Sequence, residues 1–221
     1  MITAATFDYL NLLSRNNNRE WFQQNKPLYE KVRGDYEAFV ADLIPEISMI
    51  DPSIGMPGVK DCVFRIYRDV RFSHDKSPYK TQFGAFIGKG GRKTTGVGYY
   101  IHVEPGKSFA AGGVYQPQPD VLKLLRSEIY FNSKEFRTII SEPSFVKMFE
   151  KLDEFDKIKL APKDFPADFP DIDLLKYKSY IVSREFADEE VTDNGFRQKL
   201  MTTFGAMLPF HEFLKRAMSN G

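Results

Sequence analysis

The residues that decide the fold of this chain are 81–115, TQFGAFIGKGGRKTTGVGYYIHVEPGKSFAAGGVY. Short runs whose successive side chains would point to opposite faces of a sheet predict strands at Thr81 to Gly88, Val97 to Glu104 and Phe109 to Tyr115. Gly88 to Gly91 is typical of a hairpin tip, and Pro105-Gly106 is typical of the next turn. Three strands with such short connections predict an antiparallel meander rather than a parallel sheet.

Helical periodicity dominates on both sides of this segment. It predicts helices at Thr3 to Asn16, from Arg19 behind an Asn18 cap, at Leu28 to Ile44, at Pro119 to Tyr130, at Ser133 to Ile140, at Pro143 to Leu152 and at Asn194 to Met218. Period-two alternation adds strands beginning at Cys62 and at Tyr177. No repeat or flexible linker divides the chain, so we predict one α+β domain over residues 1–221, in which a mainly antiparallel sheet packs against N- and C-terminal helices.

Composition excludes several classes of protein. The net charge of +1 over 221 residues provides no general attraction to nucleic acid, so we do not expect a nucleic-acid partner. No apolar run reaches the ~20 residues that span a bilayer, and the N-terminus lacks the pattern of a signal peptide. The only cysteine, Cys62, is expected to be a small buried residue. We therefore predict a cytoplasmic protein with no membrane partner and no cofactor.

A dense charge cluster precedes the meander, in DCVFRIYRDVRFSHDKSPYKT from Asp61 to Thr81. Five Lys or Arg residues outnumber three Asp residues there, and arginine and lysine side chains can hold phosphate or carboxylate oxygens. We expect Arg68 and Arg71 in particular to face a ligand. The predicted ligand-binding residues are Arg65, Tyr67, Arg68, Arg71, Asp75, Lys76, Tyr79, Lys80 and, from a neighbouring strand, Tyr100.

Strand alternation also predicts which side chains share a face. Tyr100, His102 and Glu104 should lie on one side of their strand, and Arg65, Tyr67 and Asp69 should face the same side of the sheet. His102, Asp69 and Glu104 are the candidates for proton transfer. A hydrogen-bonded cleft histidine is the favoured interpretation of His102 over a metal ligand, and no metal site is predicted.

The chain resembles a known protein family in four segments. They are REWFQQNK near the start, RIYRDVRFSHDKSPYKT, GYYIHVEPGKSFAAGGVYQP and LLKYKSYIVSRE. The resemblance is to an uncharacterised family, found mainly in bacteria and in some fungi, with the signature RxxRDxRF…DK…PYK, and it covers essentially the whole chain. It implies a single-domain unit and marks Arg65 to Lys80 as the defining segment, but it supplies no catalytic residues.

Three hypotheses remain open from the sequence. The first is a pocket for a small anionic ligand, bearing phosphate or carboxylate, with or without catalysis. The second is a non-enzymatic interaction module that docks a protein or nucleic acid through the same basic and aromatic surface. The third is a structural network of paired charges, because charge clusters serve both functional sites and scaffolds. The oligomeric state is not determined by the sequence.

Overall fold

The structure is a computed structural model, which describes residues 1–219. Nine helices are seen in this part of the chain: α1 Ala4–Arg15, α2 Arg19–Gln24, α3 Lys26–Ile50, α4 Val59–Cys62, α5 Pro119–Phe131, α6 Ser133–Ser141, α7 Pro143–Phe149, α8 Asp188–Thr192 and α9 Phe196–Ser219. The strands are β1 Phe83–Gly88, β2 Gly98–Val103, β3 Ser108–Val114 and β4 Tyr180–Phe186. Short 3-10 turns cover Pro52–Ile54, Gly91–Lys93 and Ile172–Lys176.

The four strands form one antiparallel sheet in the order β1-β2-β3-β4, with helices at both ends of the chain. The predicted α+β class and meander are therefore confirmed. The turn between β2 and β3 is also the predicted one: the Lys107 amide donates to the Glu104 carbonyl oxygen at 3.0 Å, with Gly106 at a φ of 71°. That positive φ at the third position of the turn is the reason for glycine there.

The predicted strand beginning at Cys62 is wrong. Cys62 ends the one-turn helix α4, and the extended residues after it make only single antiparallel bridges, Val63 with Ala85 and Tyr67 with Tyr79. The partner segment bends at residues 81–82 and contains Pro78, which has no N–H to donate. These two features prevent a continuous ladder and leave residues 69–77 as the tip of a loose hairpin.

Helix α3 runs further than its sequence predicts. The expected end was Ile44, before Pro45, yet the helix continues to Ile50 with Pro45 inside it. Proline removes one hydrogen bond from a helix interior, but Ile44 and Ile47 are both buried on this helix, and their burial favours its continuation. Helix α9 contains Pro209 in the same way. Helix α8 was not predicted.

The packing of the chain divides it into two compact units, and the prediction of a single domain stays a prediction. The first unit comprises residues 1–93, 100–110 and 185–201. In this unit the Tyr36 ring on α3 stacks on Phe83 at 5.3 Å, and its hydroxyl donates to the Ile101 carbonyl oxygen. Phe39 stacks on Phe196 at 5.7 Å. Aromatic rings from α3 and α9 thus fill the core of this unit.

Among the described residues, the second unit comprises 94–99, 111–184 and 202–219. Its core is also aromatic: the Phe136 ring on α6 lies between Tyr180 on β4 and Phe213 on α9, at 6.2 and 4.9 Å. Within the described residues 1–219, no helix combines the length and the apolar character that crossing a membrane would require.

Candidate functional site

An asparagine clamp fixes the end of the charge cluster. The Asn17 side-chain amide donates to the Tyr79 carbonyl oxygen at 2.9 Å, and its oxygen accepts from the Tyr79 amide at 3.1 Å. The Tyr79 ring stacks on Phe22 at 3.9 Å and is 3% exposed. Tyr79, predicted as a ligand contact, is therefore held mainly as a core residue, and its position sets that of Lys80 beside it.

Most cations of the loop are paired within the loop itself. Arg68 forms an ion pair with Asp75 and also donates to the Ser77 carbonyl oxygen at 3.3 Å. Asp75 in turn accepts hydrogen bonds from the Ser77 amide at 2.9 Å and the Ser77 hydroxyl at 2.6 Å. These bonds from Ser77, followed by that from Arg68, lower the pKa of Asp75 to about 2. Arg68 thus closes the loop, which gives it a structural role.

Arg71 and Lys76 are also used locally. Two guanidinium nitrogens of Arg71 donate to the Asp69 carboxylate at 2.9 and 2.6 Å, and these bonds lower the pKa of Asp69. The Lys76 ammonium donates to the Val70 carbonyl oxygen at 3.0 Å. The exposed Arg71 also lies over the Phe72 ring at 5.9 Å. Three of the five predicted cations therefore already have partners in the loop.

Lys80 and Arg65 differ from the other three cations. In the described chain, the side chain of neither one forms an ion pair with a carboxylate or a hydrogen bond to a carbonyl oxygen, whereas Arg68 and Arg71 pair with aspartates and Lys76 donates to the Val70 carbonyl oxygen. The Lys80 ammonium is half-buried and lies 5.2 Å from the centroid of the Phe64 ring. Burial, and secondarily the positive charge of Arg65, lower the pKa of Lys80. An ammonium group in this environment is poorly compensated, and a bound anion would stabilise it.

A cavity of about 610 Å³ lies next to Lys80. It brings together five of the predicted residues, Arg68, Asp69, Asp75, Tyr79 and Lys80. The sequence analysis missed five polar residues that complete its wall: Ser14, Asn17, Ser77, Thr81 and Gln82. Thr81 and Ser77 stand beside the charge cluster in sequence and could have been included on that ground. Nothing in the sequence links Ser14 or Asn17 to this segment.

Strand β2 carries the second polar arrangement. The alternation is as predicted: Tyr99, Ile101 and Val103 are fully buried, and the three residues between them and after them are partly exposed. Tyr100, His102 and Glu104 form a hydrogen-bonded chain, with 3.2 Å from the Tyr100 hydroxyl to His102 Nδ1 and 3.0 Å from His102 Nε2 to Glu104 Oε2. Thr81 Oγ1 extends this chain by donating to Glu104 Oε1 at 3.1 Å.

Close packing holds Tyr100 and His102 in place. A Cβ atom at Gly84 would lie 2.7 Å from the Tyr100 hydroxyl oxygen, so only glycine leaves room for that group. The Phe109 ring stacks on His102 at 4.6 Å with an interplanar angle of 17°. The side chains of His102 and Glu104 are 11% and 24% exposed. His102 and Glu104 are therefore closely packed and partly shielded from water, and they remain candidates for proton transfer.

The predicted pairing of the two polar trios differs in the structure. Phe64, which has the opposite strand parity to Arg65, lies edge-on to Tyr100 at 6.1 Å. The side chains of Arg65, Tyr67 and Asp69 are exposed. The alternation itself holds, since Arg65, Tyr67 and Asp69 share one exposed side, but it is Phe64 on the other side that contacts Tyr100. Asp69 is consequently engaged with Arg71, apart from the His102 chain.

A second cavity of about 680 Å³ lies beside this chain of hydrogen bonds. It is lined by His102, Glu104, Gly106, Lys107, Ser108, Phe109, Glu185, Phe186 and Ala187. Tyr67, Arg71, Lys76, Arg65 and Tyr100 line neither this cavity nor the one beside Lys80. Across residues 1–219, no group of three or more His, Cys, Asp or Glu side chains is arranged to hold a metal ion.

Comparison with known families gives one match that covers nearly the whole chain. The model of a family described as conserved hypothetical protein (DUF2461) matches residues 5–213. Neither the comparison with curated proteins nor that with solved structures gives a match.

Proposed function

The chain belongs to the DUF2461 family, whose description states no activity, and we propose from the site geometry that the protein binds a small anionic ligand in the cavity beside Lys80. The ligand bears phosphate or carboxylate oxygens. One observation carries this proposal: Lys80 is a half-buried cation without a carboxylate partner in the described chain, and it lines a polar cavity of about 610 Å³. We also infer that Arg65 to Lys80 is the family's defining signature and that the protein acts in the cytoplasm.

The five cations of the cluster have different roles in this proposal. Arg68 and Arg71 hold the loop through Asp75 and Asp69, so the expectation that these two arginines face the ligand is revised. Lys80 supplies the charge that meets the ligand, and Arg65 adds to the local positive potential. The hydroxyls of Ser77 and Thr81 line the same cavity, but each already donates its proton within the protein, to Asp75 and to Glu104 respectively.

The test compares two lysines of the same segment. Thermal melts of wild type, Lys80→Met and Lys76→Met are recorded with and without inorganic phosphate, nucleotides and dicarboxylates. Lys76 is the matched control, because its ammonium contacts the Val70 carbonyl oxygen outside the cavity. A ligand at 100 times its Kd stabilises a folded protein by about 2.7 kcal/mol. For a chain of this size that corresponds to a rise in Tm of roughly 5–10 °C.

We expect at least one anion to raise the Tm of wild type and of Lys76→Met, but not that of Lys80→Met. Without ligand, Lys80→Met should be as stable as wild type or more stable, because it removes a poorly compensated cation. If no anion stabilises wild type, or if Lys80→Met responds as wild type does, the anion pocket is wrong.

The pH dependence without ligand provides an independent check. The folded-state pKa of Lys80 is lowered from 10.5, so the unfolded chain holds this proton more tightly. The destabilising effect of charged Lys80 is fully present below its folded pKa and disappears as the pH rises from that value to 10.5. Wild type should therefore gain stability relative to Lys80→Met over this alkaline range, as measured by urea unfolding.

The alternative function is an interaction module that docks a partner, and one observation favours it. The Phe72 ring at the hairpin tip is 96% exposed, which is unusual for a large aromatic side chain, and Tyr67 nearby in sequence is 50% exposed. The variant Phe72→Ser separates the two functions. Under the ligand-pocket proposal it retains the full anion-induced rise in Tm, since Phe72 does not line the cavity. Loss of that response would favour a site that includes the exposed aromatic surface.

A further inference from the structure

The carboxyl group of Glu104 lies at the edge of the second cavity, beside β2, with a hydrogen-bond partner at each of its two oxygens. Glu104 Oε1 accepts from the Thr81 hydroxyl at 3.1 Å, and Glu104 Oε2 lies 3.0 Å from His102 Nε2. A carboxylate has about four lone-pair sites, so each oxygen can still accept one further hydrogen bond or a proton from a bound molecule. Two donors from different parts of the chain thus fix the carboxylate in one orientation at the edge of a cavity.

The hydrogen bonds also hold the His102 ring between two partners. Its Nε2 lies 3.0 Å from Glu104 Oε2, and its Nδ1 lies 3.2 Å from the Tyr100 hydroxyl oxygen. Thr81, His102 and Tyr100 therefore act as positioning residues. Their bonds hold the Glu104 carboxyl group at the edge of the cavity.

The cavity wall indicates what the carboxylate would meet. Phe109 contributes an aromatic ring that lies flat against the His102 imidazole, and Phe186 adds a second apolar side chain. Lys107 and Glu185 are the other charged lining residues, and their charges are opposite. A planar, largely apolar molecule fits this wall better than a strongly charged one, because the cavity provides aromatic surface and little net charge.

We propose that the second cavity is a proton-abstraction site, in which Glu104 removes a proton from a planar, largely apolar carbon acid that packs against Phe109. In this step the C–H bond breaks, the proton bonds to a Glu104 oxygen, and the electron pair moves into the substrate. The carboxylic acid then returns its proton to water. This proposal is independent of the anion pocket, because a neutral substrate does not require Lys80.

The neutral probe 5-nitrobenzisoxazole tests this proposal without knowledge of the natural substrate. A base removes its C3 proton while the ring N–O bond breaks, and the coloured 2-cyano-4-nitrophenolate forms. The assay compares wild type with Glu104→Gln, which keeps the shape of the side chain and one of its two acceptor oxygens but is a poor base. The matched control is Glu37→Gln, because Glu37 is similarly exposed at 29% and pairs with Arg33 on α3, away from the cavity.

We expect Glu104→Gln to lower kcat by at least about 100-fold with little change in KM, as general-base catalysis typically contributes this much. Glu37→Gln should behave as wild type. A wild type that is no faster than Glu104→Gln, or equal losses in the two variants, would overturn the proposal.

The variant Phe109→Ala provides a second measurement that keeps Glu104 and is informative even if Glu104→Gln fails to fold. Removing the ring should raise KM for the probe several-fold and leave kcat less affected, because the base remains while the stacking surface is lost. An unchanged KM would show that the probe does not use this cavity and would refute the proposed substrate placement. Both measurements are made without phosphate, so a negative result in them does not bear on the anion pocket. The thermal melts described above test that pocket separately.

Discussion

Replacing Asn17 with alanine should destabilise the protein far more than the replacement of a surface asparagine normally does. The Asn17 side chain satisfies both the N–H and the carbonyl oxygen of Tyr79, a residue that is 3% exposed. Each buried polar group left without a partner costs roughly 1–3 kcal/mol. Asn17 lines the first cavity, so water can reach part of the vacated space, and we expect a total loss of about 2–3 kcal/mol.

The assay is urea unfolding of Asn17→Ala beside Asn16→Ala. Asn16 is the matched control, because its side chain makes one exposed bond to the Leu12 carbonyl oxygen at the end of α1. The Asn16→Ala variant should lose no more than about 0.5 kcal/mol of unfolding free energy. The loss in Asn17→Ala corresponds to a fall in Tm of roughly 4–12 °C. Similar unfolding free energies for the two variants would refute the idea that Asn17 clamps the signature segment to the N-terminal helices.

Three further outcomes follow from single residues. Gly34 lies inside α3 with open space where a Cβ atom would stand, so Gly34→Ala should raise the free energy of unfolding by about 0.5–1 kcal/mol in urea titrations. A lower free energy of unfolding in this variant would show that the space around Gly34 is not open. The pKa of Asp75 is lowered from 3.8 to about 2, so the stabilisation from its bonds to Ser77 and Arg68 is fully present above pH 3.8 and is lost as the pH falls toward 2. The NMR shift of the Ser77 amide should therefore titrate near pH 2 in wild type and not in Asp75→Asn. Burial raises the pKa of the Cys62 thiol to about 11, so a thiol reagent should react with native protein only at the rate of unfolding, and rapid native labelling would contradict its burial.

Local sequence patterns determined most of the regular structure. The alternation around Tyr99 and Ile101 places apolar residues on one side of β2, and Pro105-Gly106 predicts the turn that follows. Asn18 was expected to cap a helix, and its side-chain oxygen accepts from the Trp21 amide at 2.9 Å. These features depend on residues within a few positions of each other, and short-range sterics and hydrogen bonding therefore decide them.

Only the tertiary structure decided which charges are available. The sequence placed five cations in one segment and favoured Arg68 and Arg71 as ligand contacts, but the folded loop pairs both with its own aspartates and leaves Lys80 without a carboxylate partner among the described residues. The Arg68–Asp75 pair depends on the path of the backbone through the hairpin tip, because the two residues are seven positions apart and meet only where the loop folds back.

The same limit applies to contacts between distant parts of the chain. Asn17 reaches Tyr79 across 62 positions, and Thr81 reaches Glu104 across 23 positions. Side-chain alternation along β2 could predict that His102 and Glu104 share a face, but not that a threonine from outside the strand would complete their hydrogen bonds. Residue types and spacing identify groups capable of chemistry, while the packing of distant segments determines which of those groups meet and which remain free to bind.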